Sequence, residues 1–114
     1  MVIRRGSVWW VDLGEPSGSE PGLIRPAIVI SADAFNRSAI ATVVIVVLTS
    51  NLRLGSAPGN VVLAKGTAGL AKTSVVNVTQ IATVDKIALF EEIGHVDDAL
   101  MGTISTGLRR SLTL

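Results

Sequence analysis

Cysteine is absent from this chain, which rules out a disulfide framework and thiol chemistry. Histidine occurs once, at His95, so no pair of imidazoles can share the acid and base work of a nuclease. The longest apolar run, Ala39 to Leu48, contains Thr42 and falls well short of the roughly 18–20 residues that span a bilayer. Behind Arg4 and Arg5, the N-terminal segment carries Asp12 and Glu15 and lacks a signal-peptide core. A soluble, cytoplasmic protein is the resulting expectation. Phosphate-loop and dinucleotide glycine motifs are missing. The acids Asp85, Glu91, Glu92, Asp97 and Asp98 show no metal-ligand spacing, and no metal or organic cofactor is expected. A net charge of +1 is not that of a bulk electrostatic nucleic-acid binder. It leaves two readings open for Arg4, Arg5, Arg25, Arg37, Arg53, Lys65, Lys72 and Lys86: one cationic face, or a mixed solvated surface.

What is present points to a packed β-rich domain. The 114 residues fit one domain, and 48% hydrophobic content is enough to bury a core. Strands are predicted over Ser7 to Leu13, Pro26 to Ile30, Ala41 to Leu48, Asn60 to Ala64, Ser74 to Val78 and Thr79 to Val84, with a bend at Thr79-Gln80. Near-continuous apolar character predicts that the third of these is buried on both faces. Glycines and prolines from Gly14 to Gly22 and from Leu54 to Gly59 read as loops, the first of them long and mobile. Ser31 is positioned to cap a short helix over Ala32 to Asn36. From Asp98, apolar Met101, Ile104 and Leu108 recur at helical spacing, with Asp97 as N-cap and Arg109 and Arg110 near the C-terminal end. Short strands separated by turns, followed by one amphipathic helix, make a compact barrel or curled sheet.

Two strand ends carry candidate chemistry. Arg25 precedes Pro26, and a proline holds the residue before it in extended geometry. Thr49-Ser50-Asn51 closes the next apolar run. If the two runs are neighbouring strands, a guanidinium and hydroxyls gather at one pocket, a combination suited to phosphate. Each residue also has an ordinary reading, as a surface arginine and as a threonine ending a strand. Trp9 and Trp10, adjacent on one strand, must point to opposite faces. One belongs to the core, and the other to packing, an interface or base stacking. His95 reads as structural or surface.

Taken in order, Arg5 to Leu13, Gly18-Ser19-Glu20, Arg25 to Ser31, Val47 to Asn51, Thr73 to Lys86 and Ile93-Gly94-His95-Val96 resemble the MazF/PemK family of toxin endoribonucleases over nearly the whole chain. The resemblance implies an SH3-like barrel of the MazF/CcdB type, mainly β with short helices and a C-terminal α-helix. It also implies a homodimer inhibited by a MazE-like antitoxin, and sequence-specific, ribosome-independent cleavage of single-stranded RNA that arrests translation and growth. In the family, attack by the 2′-OH leaves a 2′,3′-cyclic phosphate and a 5′-OH, without a metal. Carried over by position, Arg25 and Thr49 are the catalytic pair and Glu20 a supporting catalytic carboxylate. Ser19, Ser50, Asn51, Asn77 and Gln80 are the RNA-binding candidates.

One departure stands out. Some members carry an arginine and an aspartate where this chain has Asn77 and Thr79, and neither of these residues can carry a charged proton. The same barrel also serves toxins that bind gyrase without RNA chemistry, and a degenerate member could merely sequester antitoxin. Fold alone does not separate these readings.

Overall fold

The computed structural model describes residues 2–15, 18 and 23–114. Six strands form one antiparallel sheet: β1 Ser7–Asp12, β2 Ile24–Val29, β3 Thr42–Thr49, β4 Val61–Leu63, β5 Ser74–Asp85 and β6 Leu89–His95, with order β4-β5-β3-β2-β1-β6. A short helix, α1 (Asp33–Asn36), follows β2, and a longer one, α2 (Asp98–Leu112), follows β6. The fold is the mainly β, curled sheet with a C-terminal helix that the strand pattern predicts.

Apolar residues lie on both faces because the sheet has a core on each side. β3 divides its side chains between them. Val46 and Leu48 join Val8, Ile28, Val76 and the α2 residues Met101, Ile104 and Leu108. Val43, Ile45 and Val47 join Trp9, Val11, Ala27, Val29 and Leu89. Each such aliphatic side chain contributes roughly 1.5–3 kcal/mol on full burial. α2 starts as the sequence indicates: the Asp97 carboxylate accepts from the Leu100 N–H at 2.7 Å, satisfying a helix-start donor.

The strand predicted from Ser74, with its continuation to Val84, is one strand, β5, whose pairing with β3 shifts between Leu48↔Val76 and Val46↔Ile81. The irregularity falls around the expected bend. Ser31 does not cap α1, because Ala32 occupies the cap position without a side-chain bond. The Ser31 hydroxyl instead donates to Asn36 Oδ1 at 2.6 Å and accepts from the Val44 N–H at 3.2 Å, tying α1 to β3. The predicted mobile loop, Gly14 to Gly22, lies outside the described residues apart from Gly14, Glu15 and Gly18.

The shift in β5 leaves the buried Val78 N–H to a side chain. Asn60 Oδ1 accepts from it at 2.9 Å, while Asn60 Nδ2 donates to the Leu54 carbonyl at 2.9 Å. Asn60→Ala is expected to lower stability by about 1–3 kcal/mol, the penalty of an unsatisfied buried donor, measured by urea unfolding.

Arg5 is half-buried and its side chain is engaged within the fold, joining β2's end to α2. Its guanidinium donates to the Ile30 carbonyl and, at 2.8 Å, to the Ser105 hydroxyl on α2. Its backbone N–H donates to Asp33 Oδ1 at 2.7 Å. That bond, above all, holds the Asp33 carboxyl below its ordinary range. A bond from Asn36 and the charges of Arg37 and Arg4 act in the same direction, and burial opposes them. A carboxylate with a lowered folded-state pKa stabilises the fold above its unfolded value, near pH 4. The contribution is lost as pH falls through the folded value. Stability curves of the native protein and Asp33→Ala should therefore differ by about 1 kcal/mol near neutrality and converge in acid, as read by thermal unfolding across pH.

Candidate active site

The ladder between β2 and β3 runs only over Ala27↔Val47, Ile28↔Val46 and Val29↔Ile45. Two residues further, its register would set Arg25 opposite Thr49, on the same face of the sheet. There the strands part, and each is held from its outer side. Arg25 pairs with Val11 on β1, and Thr49 pairs with Val75 on β5. Pro26 lies at this point of divergence, where no ladder bond to β3 is required of it. The gap is a cleft of about 610 Å³ lined by Trp10, Ile24, Arg25, Pro26, Leu48, Thr49, Ser50, Gly69 to Lys72, Ser74 and Ile93.

Its far wall comes from the 3₁₀ turn Thr67–Gly69 and the residues after it, which lie against β6. The approach is so close that a Cβ on Gly94 would sit 2.1 Å from the Ala68 carbonyl oxygen, and one on Gly69 2.6 Å from that of Ile93. Only glycine fits at either position. Within the wall the buried Ser74 hydroxyl donates to the Lys72 carbonyl at 3.0 Å, which fixes the backbone that carries the lysine.

Chemically, the cleft combines two cations, Arg25 and Lys72, with the hydroxyls of Thr49, Ser50 and Ser74 and an apolar floor. No carboxylate is among its described lining residues. The Thr49 hydroxyl oxygen accepts from the Asn51 N–H at 3.1 Å. Its position is thereby set and its proton left free to donate. Arg25 is exposed and presents its fork to an incoming group. Among the described residues, no three His, Asp or Glu side chains gather in a metal-binding group.

The structure thus brings Arg25, Thr49 and Ser50 together. Asn51 stands beside them, its carboxamide oxygen accepting from the Arg53 N–H at 3.3 Å to start the turn Leu52–Ser56. Asn77 and Gln80 line no part of the cleft. The Asn77 side-chain oxygen accepts from Asn60 and from the Thr79 hydroxyl at 3.3 and 3.2 Å. Ser19 and Glu20 lie outside the described residues. Trp9 is core and Trp10 lines the cleft. His95 is exposed, its Nε2 3.2 Å from the Arg5 carbonyl oxygen. Lys72 is the cleft residue that the sequence left undistinguished among eight cations.

Over residues 4–112 the chain matches the family described as PemK-like, MazF-like toxin of type II toxin–antitoxin system. It belongs to that family. The endoribonuclease MazF6 of Mycobacterium tuberculosis (strain H37Rv) is 48% identical over 114 residues, all of both chains. The endoribonuclease EndoA of Bacillus subtilis (strain 168) is 34% identical over 114 residues, covering all of this chain and 97% of that one. A mycobacterial endoribonuclease solved in complex with its cognate antitoxin superposes with a TM-score of 0.76 at 32% identity, over 99% of this chain and 95% of its own. No helix among the described residues is long and apolar enough to cross a membrane.

Proposed function

We propose that this protein is the toxin of a toxin–antitoxin pair, a cytoplasmic endoribonuclease that cleaves single-stranded RNA in the cleft between β2 and β3. The observation that carries the reading is that Arg25 and Thr49 line one cleft where two strands part, in a chain whose relatives are endoribonucleases. The proposed reaction is in-line attack of the 2′-oxygen on the adjacent phosphorus. The 2′-OH gives up its proton, the 2′-O–P bond forms and the P–O5′ bond breaks, leaving a 2′,3′-cyclic phosphate, while the 5′-oxygen takes a proton from solvent water and departs as 5′-OH.

Arg25 binds two phosphate oxygens through its fork and stabilises the charge that grows on them. As it stays protonated near neutrality, it acts as electrostatic stabiliser rather than base. The Thr49 proton, free because the oxygen is held by Asn51, orients a phosphate oxygen. Glu20 is the proposed supporting carboxylate, which takes the 2′-OH proton or positions Arg25, and Ser19, Ser50, Asn51, Asn77 and Gln80 are the proposed RNA contacts. The whole chain acts as one endoribonuclease domain, works as a homodimer and needs no metal. A cognate MazE-like antitoxin silences it by laying an acidic segment over the cationic cleft, a partner that orders on binding.

The test is incubation of a long unstructured RNA with purified protein in excess EDTA, with the ends mapped. Cuts at one short motif with 5′-OH and cyclic-phosphate ends are expected. Intact RNA in the presence of folded protein would overturn the reading, and a supercoiling assay would then examine gyrase poisoning.

A further inference from the structure

Catalysis at one phosphate accounts for Arg25 and Thr49 and leaves Lys72 unused. The sheet order places β3 between β2 and β5, so Arg25 and Lys72 flank the end of β3, with the Thr49 and Ser50 hydroxyls between them. Lys72 is exposed, but the backbone beneath it is built in. Besides the Ser74 bond, the preceding turn is closed by Gly66 N–H to the Leu70 carbonyl at 2.8 Å, and Leu70 is 5% exposed. A chain of phosphates crossing the strand end would meet a cation on either side, and none of the described lining residues repels it with a carboxylate.

We propose that Lys72 is a second phosphate-binding residue of this cleft, holding an RNA phosphate next to the one that reacts at Arg25. The inference rests on the ribonuclease reading and deepens it. Lys72 binds as a point charge, so it adds affinity without base preference, and it sets which stretch of backbone lies in register with Arg25.

Binding of a mixed-sequence, single-stranded RNA with 2′-O-methyl groups throughout, which cannot be cut, separates the two claims. Measured across salt concentrations, Lys72→Met should weaken binding roughly three- to tenfold at low salt. It should also flatten the log–log salt slope by about 0.7, the share of one single-strand phosphate contact. Lys72→Arg should restore both. In cleavage assays the methionine variant should raise KM for an oligonucleotide carrying the cut motif by more than it lowers kcat, a split that a merely structural role would not produce. Unchanged affinity and slope in a folded Lys72→Met protein would overturn the assignment while leaving Arg25 and Thr49 as the site. Failure of the native protein to bind the RNA would overturn the ribonuclease reading, and this assignment with it.

Discussion

Arg25→Ala is expected to lower kcat/KM for RNA cleavage by about 10²–10³-fold, the loss typical of removing one preorganised charge-stabilising donor. Its fold should survive. Arg25 is exposed, its β-strand backbone pairs with Val11 on one side only, and its side chain is part of neither core. The unfolding free energy should therefore stay within about 0.5 kcal/mol of the native value. Arg25→Lys keeps the charge but not the fork, and should recover only part of the loss. Single-turnover cleavage of one mapped oligonucleotide, run beside urea melts of each variant, gives both numbers. A folded Arg25→Ala protein that cleaves at the native rate would remove the arginine from the site.

The largest expected effect on the fold comes from a methyl group outside the lining of that cleft. At Gly107, on the buried side of α2, an added Cβ would lie 2.1 Å from the Gly59 carbonyl oxygen and 3.3 Å from Val78 Cγ1. The obstacle is backbone, and it cannot yield easily. Gly59 itself sits at φ +84°, in the left-handed region that favours glycine, next to the Asn60 bridge to Val78. Gly107→Ala should thus push α2 off the sheet at a cost of about 3 kcal/mol, the upper end for overpacking. Melting would fall by on the order of 10–20 °C.

The same substitution five residues earlier should act in the opposite direction. Gly102 has nothing within 4 Å of the position its Cβ would take. Alanine there removes only the entropic cost of glycine in a helix, about 0.5–1 kcal/mol. Thermal melts of the two variants side by side check whether contact or helix propensity decides each case.

Patterns local in sequence carried much of this architecture. The Met101, Ile104 and Leu108 spacing, with Asp97 ahead of it, located α2, because helix period and capping are properties of a few consecutive residues. The apolar run ending at Leu48 marked β3 as buried on both faces, and the two clusters divide it accordingly. The candidate pair Arg25 and Thr49 was legible from Arg-Pro and from the hydroxyls at a strand end.

Other features depended on tertiary placement. Whether Arg5 or Lys72 serves the site is decided by which strands end where, and no spacing in the chain encodes it. The Arg5 guanidinium is engaged by Ile30 and Ser105, and Lys72 is brought into the cleft with Thr49 by the turn that Gly69 and Gly94 allow against β6. Asn60 was equally silent, since its partners are a loop carbonyl and an N–H left over by an irregular pairing of β5. Ser31 followed a sound capping rule and was outcompeted, because Asn36 and the Val44 N–H offered its hydroxyl partners that also join α1 to the sheet.

The cleft between β2 and β3 is proposed to hold an RNA phosphate for attack by the neighbouring 2′-oxygen. The most direct measurement compares two oligonucleotides identical except for a single 2′-deoxy substitution on the nucleotide 5′ of the mapped cut, each incubated with native protein in excess EDTA. Cleavage of the all-ribose strand to cyclic-phosphate and 5′-OH ends, with the deoxy strand bound but intact, is the predicted result. Cutting of both strands at the same bond and rate would contradict it.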